Sequence, residues 1–401
     1  MGQHRIIRLA GLASVAVLLA AAAPAREADQ GLDSARCSSL IQADVPRTRL
    51  ERLARGFNLT GWLDGDDVRR PDQRALRDLR ARGFTHVRLP VQAELISHAF
   101  SSPEKVSAQL KELDYALDTL LRLGYAVSID MHPAGRFAQL WRSDQDRAAR
   151  ELESIWRVVA RRYRDRPSDQ VLFELLNEPP SGMGWAERAR HLAAAIREVA
   201  PANTLVLGPD DNQRVEALEA MAPFPDSNIV YAIHYYDPMA FTHQGATWEA
   251  PDSPLRAFHD VPFPSRPDDP AVVRLAQSLR STGRDEAAQK LEEDLRTPWT
   301  PEVIAAAIAR AGAWSVRNRR AVILNEFGVL RWAAPPEDRA KWVRAVRTAA
   351  DRACLGWAHW DYADAFGFMV RRSGRDSPDP VILDALIGSP ASPASPVRKR
   401  P

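Results

Sequence analysis

From about residue 50 onward the chain alternates short apolar runs with longer stretches in which apolar residues return every three or four positions. The apolar runs fall at 56–62, 85–91, 126–131, 171–176, 204–207, 229–234, 321–324 and 356–360. An unbroken apolar run is what a strand buried on both faces of a parallel sheet requires, and helices between such runs supply the crossovers that parallel strands need. Helices are predicted over 73–82, 107–123, 146–164, 185–199, 301–317 and 337–352. Thr300 before Pro301 adds a start signal: a side chain able to cap, then a ring whose fixed φ suits a first helical turn. Eight strands alternating with helices close into an α/β fold of the (β/α)8 TIM-barrel type, which takes about 250 residues and more with insertions. The 401 residues present fit one such domain with additions.

The additions can be placed. His4, Arg5 and Arg8 precede the apolar run 9–23, and Ala23-Pro24-Ala25 offers a small-residue cleavage pattern, so 1–25 reads as a signal peptide. The run is shorter than the roughly twenty residues a spanning helix needs. Export to a secreted or periplasmic location is therefore expected, with an uncleaved signal anchor as the other outcome and no further membrane partner. Residues 26–49 form an N-terminal extension, 50–388 the barrel, and 389–401, with its Pro-Ala-Ser repetition, a disordered tail. Within the barrel the rhythm breaks at about 237–299, a connection after the sixth strand with a helical piece over 272–295. It should rise over the C-terminal face, where barrel sites are built, although 280–296 reads as simply solvated. The two cysteines, Cys37 and Cys354, either form one disulfide or stay free.

A net charge of +2, with arginines spread along the chain, argues against nucleic acid as a partner. No His or Cys pair stands at a metal-ligand spacing, which disfavours a zinc site. What does collect at the C-terminal ends of the predicted strands is Arg88, His132, Asn177, Glu178, His234, Tyr236, Glu326 and Trp360. Hydrolysis of a glycosidic bond needs one carboxyl group protonated and a second ionised on the other face of the sugar, in environments that push their pKa values apart. Arg88 is suited to keep a neighbouring carboxylate charged, and Tyr236 to orient it, which assigns Glu326 as nucleophile and Glu178 as acid/base.

These residues stand in motifs. The chain resembles glycoside hydrolase family 5, the cellulase family of retaining glycosidases: Asn177-Glu178-Pro179 is similar to its acid/base motif and Glu326-Phe327-Gly328 to its nucleophile motif. The stretches His86 to Pro90, Asp130 to His132, His234 to Tyr236 and Gly356 to Trp360 resemble the second-, third-, sixth- and eighth-strand motifs. The resemblance implies that Arg88 and Tyr236 hold Glu326, that Asn177 binds the sugar 2-hydroxyl, that His132 and His234 line the central subsite and that Trp360 lies under the sugar being cleaved. It further implies a retaining double displacement with carboxyl groups about 5 to 5.5 Å apart, with no metal or organic cofactor. His243 and Trp248, in a loop that resembles one found in some members, would extend the cleft.

Tryptophan can fill a core or stack on a sugar ring. Trp156, Trp314 and Trp342 lie in helical patterns and read as core, Trp141, Trp185, Trp248 and Trp332 lie in or beside loops, where a sugar platform is at least as good a reading as packing, and Asn58 and Trp62 fit binding or packing equally. The function implied is an exported endo-β-1,4-glucanase acting on β-linked polysaccharide or oligosaccharide. Exo attack, β-1,3-glucan, mannan or xyloglucan as substrate, and a non-catalytic polysaccharide-binding barrel are the alternatives.

Overall fold

A computed structural model of the chain describes Cys37 and residues 45–388. The expected signal segment, most of the extension and the tail 389–401 lie outside the described residues. Eight parallel strands close into a barrel in chain order: β1 (Arg55–Asn58), β2 (His86–Gln92), β3 (Ala126–His132), β4 (Val171–Glu174), β5 (Leu205–Leu207), β6 (Ile229–His234), β7 (Ala321–Glu326) and β8 (Gly356–His359). Around them run α1 (Gln73–Ala81), α2 (Pro103–Arg122), α3 (Gln145–Tyr163), α4 (Trp185–Val199) and α5 (Val215–Ala220), each following the strand of its own number. After β6 come α6 (Pro270–Ser281), α7 (Asp285–Asp294) and α8 (Pro301–Asn318), and after β7 and β8 come α9 (Pro336–Arg352) and α10 (Pro380–Ile387). The (β/α)8 expectation holds.

Both faces of the strands are buried, which is why their sequences run apolar. Val87, Leu89, Val127, Ile129, Phe173 and Leu324 pack outward against the helices. Their neighbours Ala126, Leu172, Val206, Val230, Ala232, Ala321 and Ile323 form a second cluster, with Leu53 and Val45, that fills the N-terminal end of the barrel. Higher inside, the same alternation turns polar: His86, Arg88, Ser128, Asp130 and Glu174 are all buried. Helix starts follow local chemistry. Asp72, Ser102 and Asp379 each accept a backbone N–H of the helix they precede. Thr300 departs from expectation: it stands at the N-cap position, but its hydroxyl caps nothing in α8, leaving Pro301 as the signal that counted.

The long connection corrects two expectations. Its helical piece is two helices, α6 and α7, divided at Gly283, whose φ of +73° ends the first. Nor is 280–296 merely solvated, because Ala287, Ala288, Leu291 and Leu295 are buried: their helical spacing gives α7 an inner face. Cys37 and Cys354 form a disulfide with Cα atoms 5.6 Å apart. No helix among the described residues is long and apolar enough to cross a membrane.

Candidate active site

Arg88 on β2 organises the mouth of the barrel. Its guanidinium donates from Nε and Nη2 to both oxygens of Glu174 at 2.7 and 2.8 Å, from Nη1 to Glu326 Oε1 at 2.5 Å and Asn58 Oδ1 at 2.9 Å, and from Nη2 to Asn177 Oδ1 at 2.9 Å. Asp130 lies 3.2 Å from the same Nη2. Burial alone would lower the Arg88 pKa, but the carboxylates of Asp130, Glu174 and Glu326 outweigh it and raise it. Glu174 is pushed up to about 7, by burial first and by the negative Asp130 and Glu326 beside it, against the pull of Arg88. Expected among the substrate-binding residues, Arg88 has no exposed surface. It touches Glu326 and Asn177 from behind and cannot contact a sugar.

Glu326 reaches this layer because of an irregularity. The β6–β7 register shifts between Ile233 and His234, so that Ile233 pairs with Leu324 but His234 with Glu326. The extra residue, Asn325, sends its amide to Glu174 Oε1 at 2.8 Å, and the next side chain, Glu326, is re-aimed into the mouth. There the Tyr236 hydroxyl donates to its second oxygen at 3.0 Å. Burial and the nearby Glu326 and Glu178 raise the Tyr236 pKa, so the phenol keeps its proton.

Glu178 enters from the other side, on the turn that follows β4. Its Oε1 lies 2.9 Å from His234 Nδ1, and one oxygen each of Glu178 and Glu326 lie with His234 Nδ1 or Nε2 within 4.8 Å of one another. Enclosure at the base of the cleft, with Asp130 nearby, raises the Glu178 pKa despite the opposing charges of His132 and Arg88. Burial pushes His234 down to about 4, so it is neutral at neutral pH. His132 goes the other way: burial would lower it, but its bond to Asp130 (Nδ1 to Oδ2, 2.9 Å) and the charges of Asp130 and Glu326 raise it. Glu178, His234 and Glu326 are near enough to hold a cation, but Glu326 is already engaged by Arg88 and Tyr236.

The pair sits in a cavity of about 630 Å³ whose lining includes His132, Asn177, Glu178, His234, Tyr236, His243, Trp248, Glu326 and Trp360. All the expected site residues except Arg88 thus share one cleft. Trp360 lies parallel to His132 at 5.9 Å. His243 packs edge-on against Tyr236 at 5.1 Å. Trp248 is 52% exposed and meets the equally open Trp332 edge-on at 6.3 Å. Trp141 and Trp185, for which the sequence leaves platform and packing both open, are buried and pack. Trp185 gives its indole N–H to Gly208 O at 2.9 Å, so packing and a backbone bond claim it. Trp62 is buried and bonded to Glu112 at 2.6 Å, and Asn58 holds Arg88 and donates to Asn325 O at 2.9 Å; neither faces substrate. Trp299 also lines the cavity, and Gln213 accepts the Glu178 N–H at 2.8 Å. Sequence reasoning singled out neither.

Comparison with known proteins agrees with this geometry. The family model for cellulase, glycosyl hydrolase family 5, matches residues 50–364. Endoglucanase 3 of Fibrobacter succinogenes is 28% identical over 341 residues, covering 79% of this chain and 50% of its own length. Endoglucanase C of Acetivibrio thermocellus is 25% identical over 321 residues, covering 77% and 90%. The chain therefore spans half of the first relative and nine tenths of the second. In fold, it is similar to a mutant form of Thermotoga maritima Cel5A in complex with cellobiose (TM-score 0.70, 24% identity, 86% of this chain and 99% of that one). It is also similar to the cellulose synthase subunit Z of Clostridioides difficile (TM-score 0.66, 24% identity, 83% and 99%). A closed eight-stranded barrel and a family match over most of its length together make this chain a member of glycoside hydrolase family 5, and a glycoside hydrolase.

Proposed function

We propose that the chain is an exported endo-β-1,4-glucanase that works by retaining double displacement, with 50–388 as its catalytic domain. The observation that carries the reading is the contrast between two neighbouring carboxyl groups. Glu326 accepts from Arg88 and Tyr236 and is the nucleophile. Glu178 has its pKa raised and is the proton donor. The approach of their oxygens to within 4.8 Å favours direct attack over a mechanism that must leave room for water between them.

In the first step a Glu326 oxygen bonds to the anomeric carbon as the bond to the leaving oxygen breaks, and Glu178 gives that oxygen its proton. In the second, Glu178, now a carboxylate, takes a proton from water, whose oxygen displaces Glu326. Asn177 Oδ1 is tied to Arg88 and its Nδ2 lies 3.4 Å from His132 Nε2, which leaves the second N–H of Nδ2 for the sugar 2-hydroxyl. Trp360 and His132 form the floor, while His243 and Trp248 wall the cleft. The names of the relatives support β-glucan as substrate, and the basic-then-apolar leader together with the disulfide supports export.

The test is incubation of the mature protein with carboxymethyl-cellulose, mixed-linkage β-glucan, laminarin, galactomannan and xyloglucan, following viscosity and reducing ends. A rapid viscosity fall on the β-1,4-glucans is expected, and Glu326→Gln should abolish it while leaving binding intact. Reducing ends without a viscosity fall would replace endo with exo attack. Silence on every polymer would overturn the glucanase reading.

A further inference from the structure

The backbone that carries Glu178 is gripped by an unusual turn. Glu178 itself has a φ of 45°, and across from it, after β5, Asp211, Asn212 and Gln213 have φ of 55°, 54° and 58°. Residues with a Cβ adopt this left-handed region at a cost, Asn and Asp most readily, and ordinarily one at a time. Three in succession must be over-determined by their surroundings. The bonds that do so lead to the Glu178 loop. The Asn212 N–H donates to Pro179 O at 3.2 Å, the Ser181 hydroxyl donates to Asp211 Oδ1 at 2.9 Å, and the Glu178 N–H donates to Gln213 Oε1 at 2.8 Å.

Gln213 is fully buried. Only an acceptor can take the Glu178 N–H, so that bond fixes the direction of the Gln213 amide, and Nε2 is left with no hydrogen-bond partner among the described residues. A buried amide with one end unmet is a poor choice for stability alone. Room for it is made by Gly208, where an added Cβ would fall 2.2 Å from Gln213 Cγ and 2.3 Å from Nε2. We propose that the turn 211–213 serves to deliver Gln213 Oε1 to the Glu178 N–H, which makes Gln213 a positioning residue for proton donation to the leaving group and Gly208 its required clearance. This rests on the reading of Glu178 as the acid/base.

Gln213→Met keeps the length of the side chain and removes the acceptor; Gln213→Glu keeps an acceptor oxygen. Each is assayed on a cello-oligosaccharide, whose leaving group needs a proton, and on 2,4-dinitrophenyl β-cellobioside, whose leaving group does not. For Gln213→Met the expected result is a loss of about tenfold or more in kcat/KM on the oligosaccharide and less than about twofold in kcat/KM on the aryl glycoside, because kcat/KM reports the first step and leaves out the base role of Glu178 in the second. Gln213→Glu should recover most of the loss. Equal losses on both substrates together with a lowered Tm, or no loss on either, would overturn the positioning role. If Gln213→Met does not fold, Gly208→Ala, which displaces the same side chain from behind, carries the same expectation and the same refutation. Glu178→Ala run in parallel separates the two levels. Should it show the leaving-group selectivity while the Gln213 and Gly208 variants do not, only the positioning role falls; should it lack the selectivity, the acid/base reading falls and takes the proposal with it.

Discussion

Arg88 presents every guanidinium nitrogen to an acceptor, and without it the neighbouring carboxylates of Glu174, Asp130 and Glu326 would lose the cation they share. Leaving one buried charge unpaired costs about 3–5 kcal/mol, so arginine and carboxylates stand or fall as a set. The same electrostatics govern the pH profile. With Glu178 as the proposed proton donor, the rate falls as pH rises through its pKa, and the alkaline limb reports that group. Positive charge on His132 lowers the Glu178 pKa, and the bond to Asp130 shifts His132 toward its charged form. His132→Gln is therefore expected to move the alkaline limb of kcat/KM to higher pH; a limb that stays or moves down would show that His132 carries no charge toward Glu178. Much of this residue set was legible because a polar group at the tip of an apolar strand announces itself. Glu174 was harder. A glutamate inside Leu172 to Leu176 signals a paired buried charge, but its partner, 86 positions away, is fixed only by barrel register. Gln213 carried no local signal at all, since its role depends on a backbone conformation that its sequence does not advertise.

Among the elements, strands and principal helices follow directly from hydrophobic period, and their ends fall within a few residues of the expected ones. What period cannot supply is the register shift before His234, because a strict alternation through β7 would turn Asn325 inward and Glu326 away. Loops are likewise only half readable. An indole beside a loop can turn inward, as do Trp141, within the helix Gly135–Ser143, and Trp185, at the start of α4. Trp248 did not. It borders the cavity with half its surface open and leans on Phe366 at 5.9 Å, so the long connection contributes a wall of the cavity. Trp248→Ala is expected to raise KM for cellohexaose about tenfold, equivalent to ~1.4 kcal/mol, with little change in kcat. Comparison with an aryl cellobioside checks this, since a substrate too short to reach Trp248 should be nearly unaffected; a fall in kcat on both would instead assign the residue to the packing of His243 and Tyr236.

For the molecule as a whole, the Cys37–Cys354 bond spans 317 positions and joins a residue before β1 to one just before β8. Closing so long a loop removes conformational freedom from the unfolded chain and stabilises by an amount of order 5 kcal/mol in the chain-entropy account. Cys37→Ser, or thiol reduction of the parent, should lower Tm while leaving kcat near the parental value at moderate temperature, because neither cysteine approaches the cleft. Calorimetry with and without reductant checks this, and an unchanged Tm would mean that the bond contributes nothing to stability. The bond also changes what a backbone cut means. With residues 37 and 354 joined, the whole span from β1 to α9 is a covalent ring, so a protease that nicks the long connection after β6 yields a single disulfide-linked species on a non-reducing gel and two fragments on a reducing one. The barrel can be opened at that connection without letting its two halves diffuse apart.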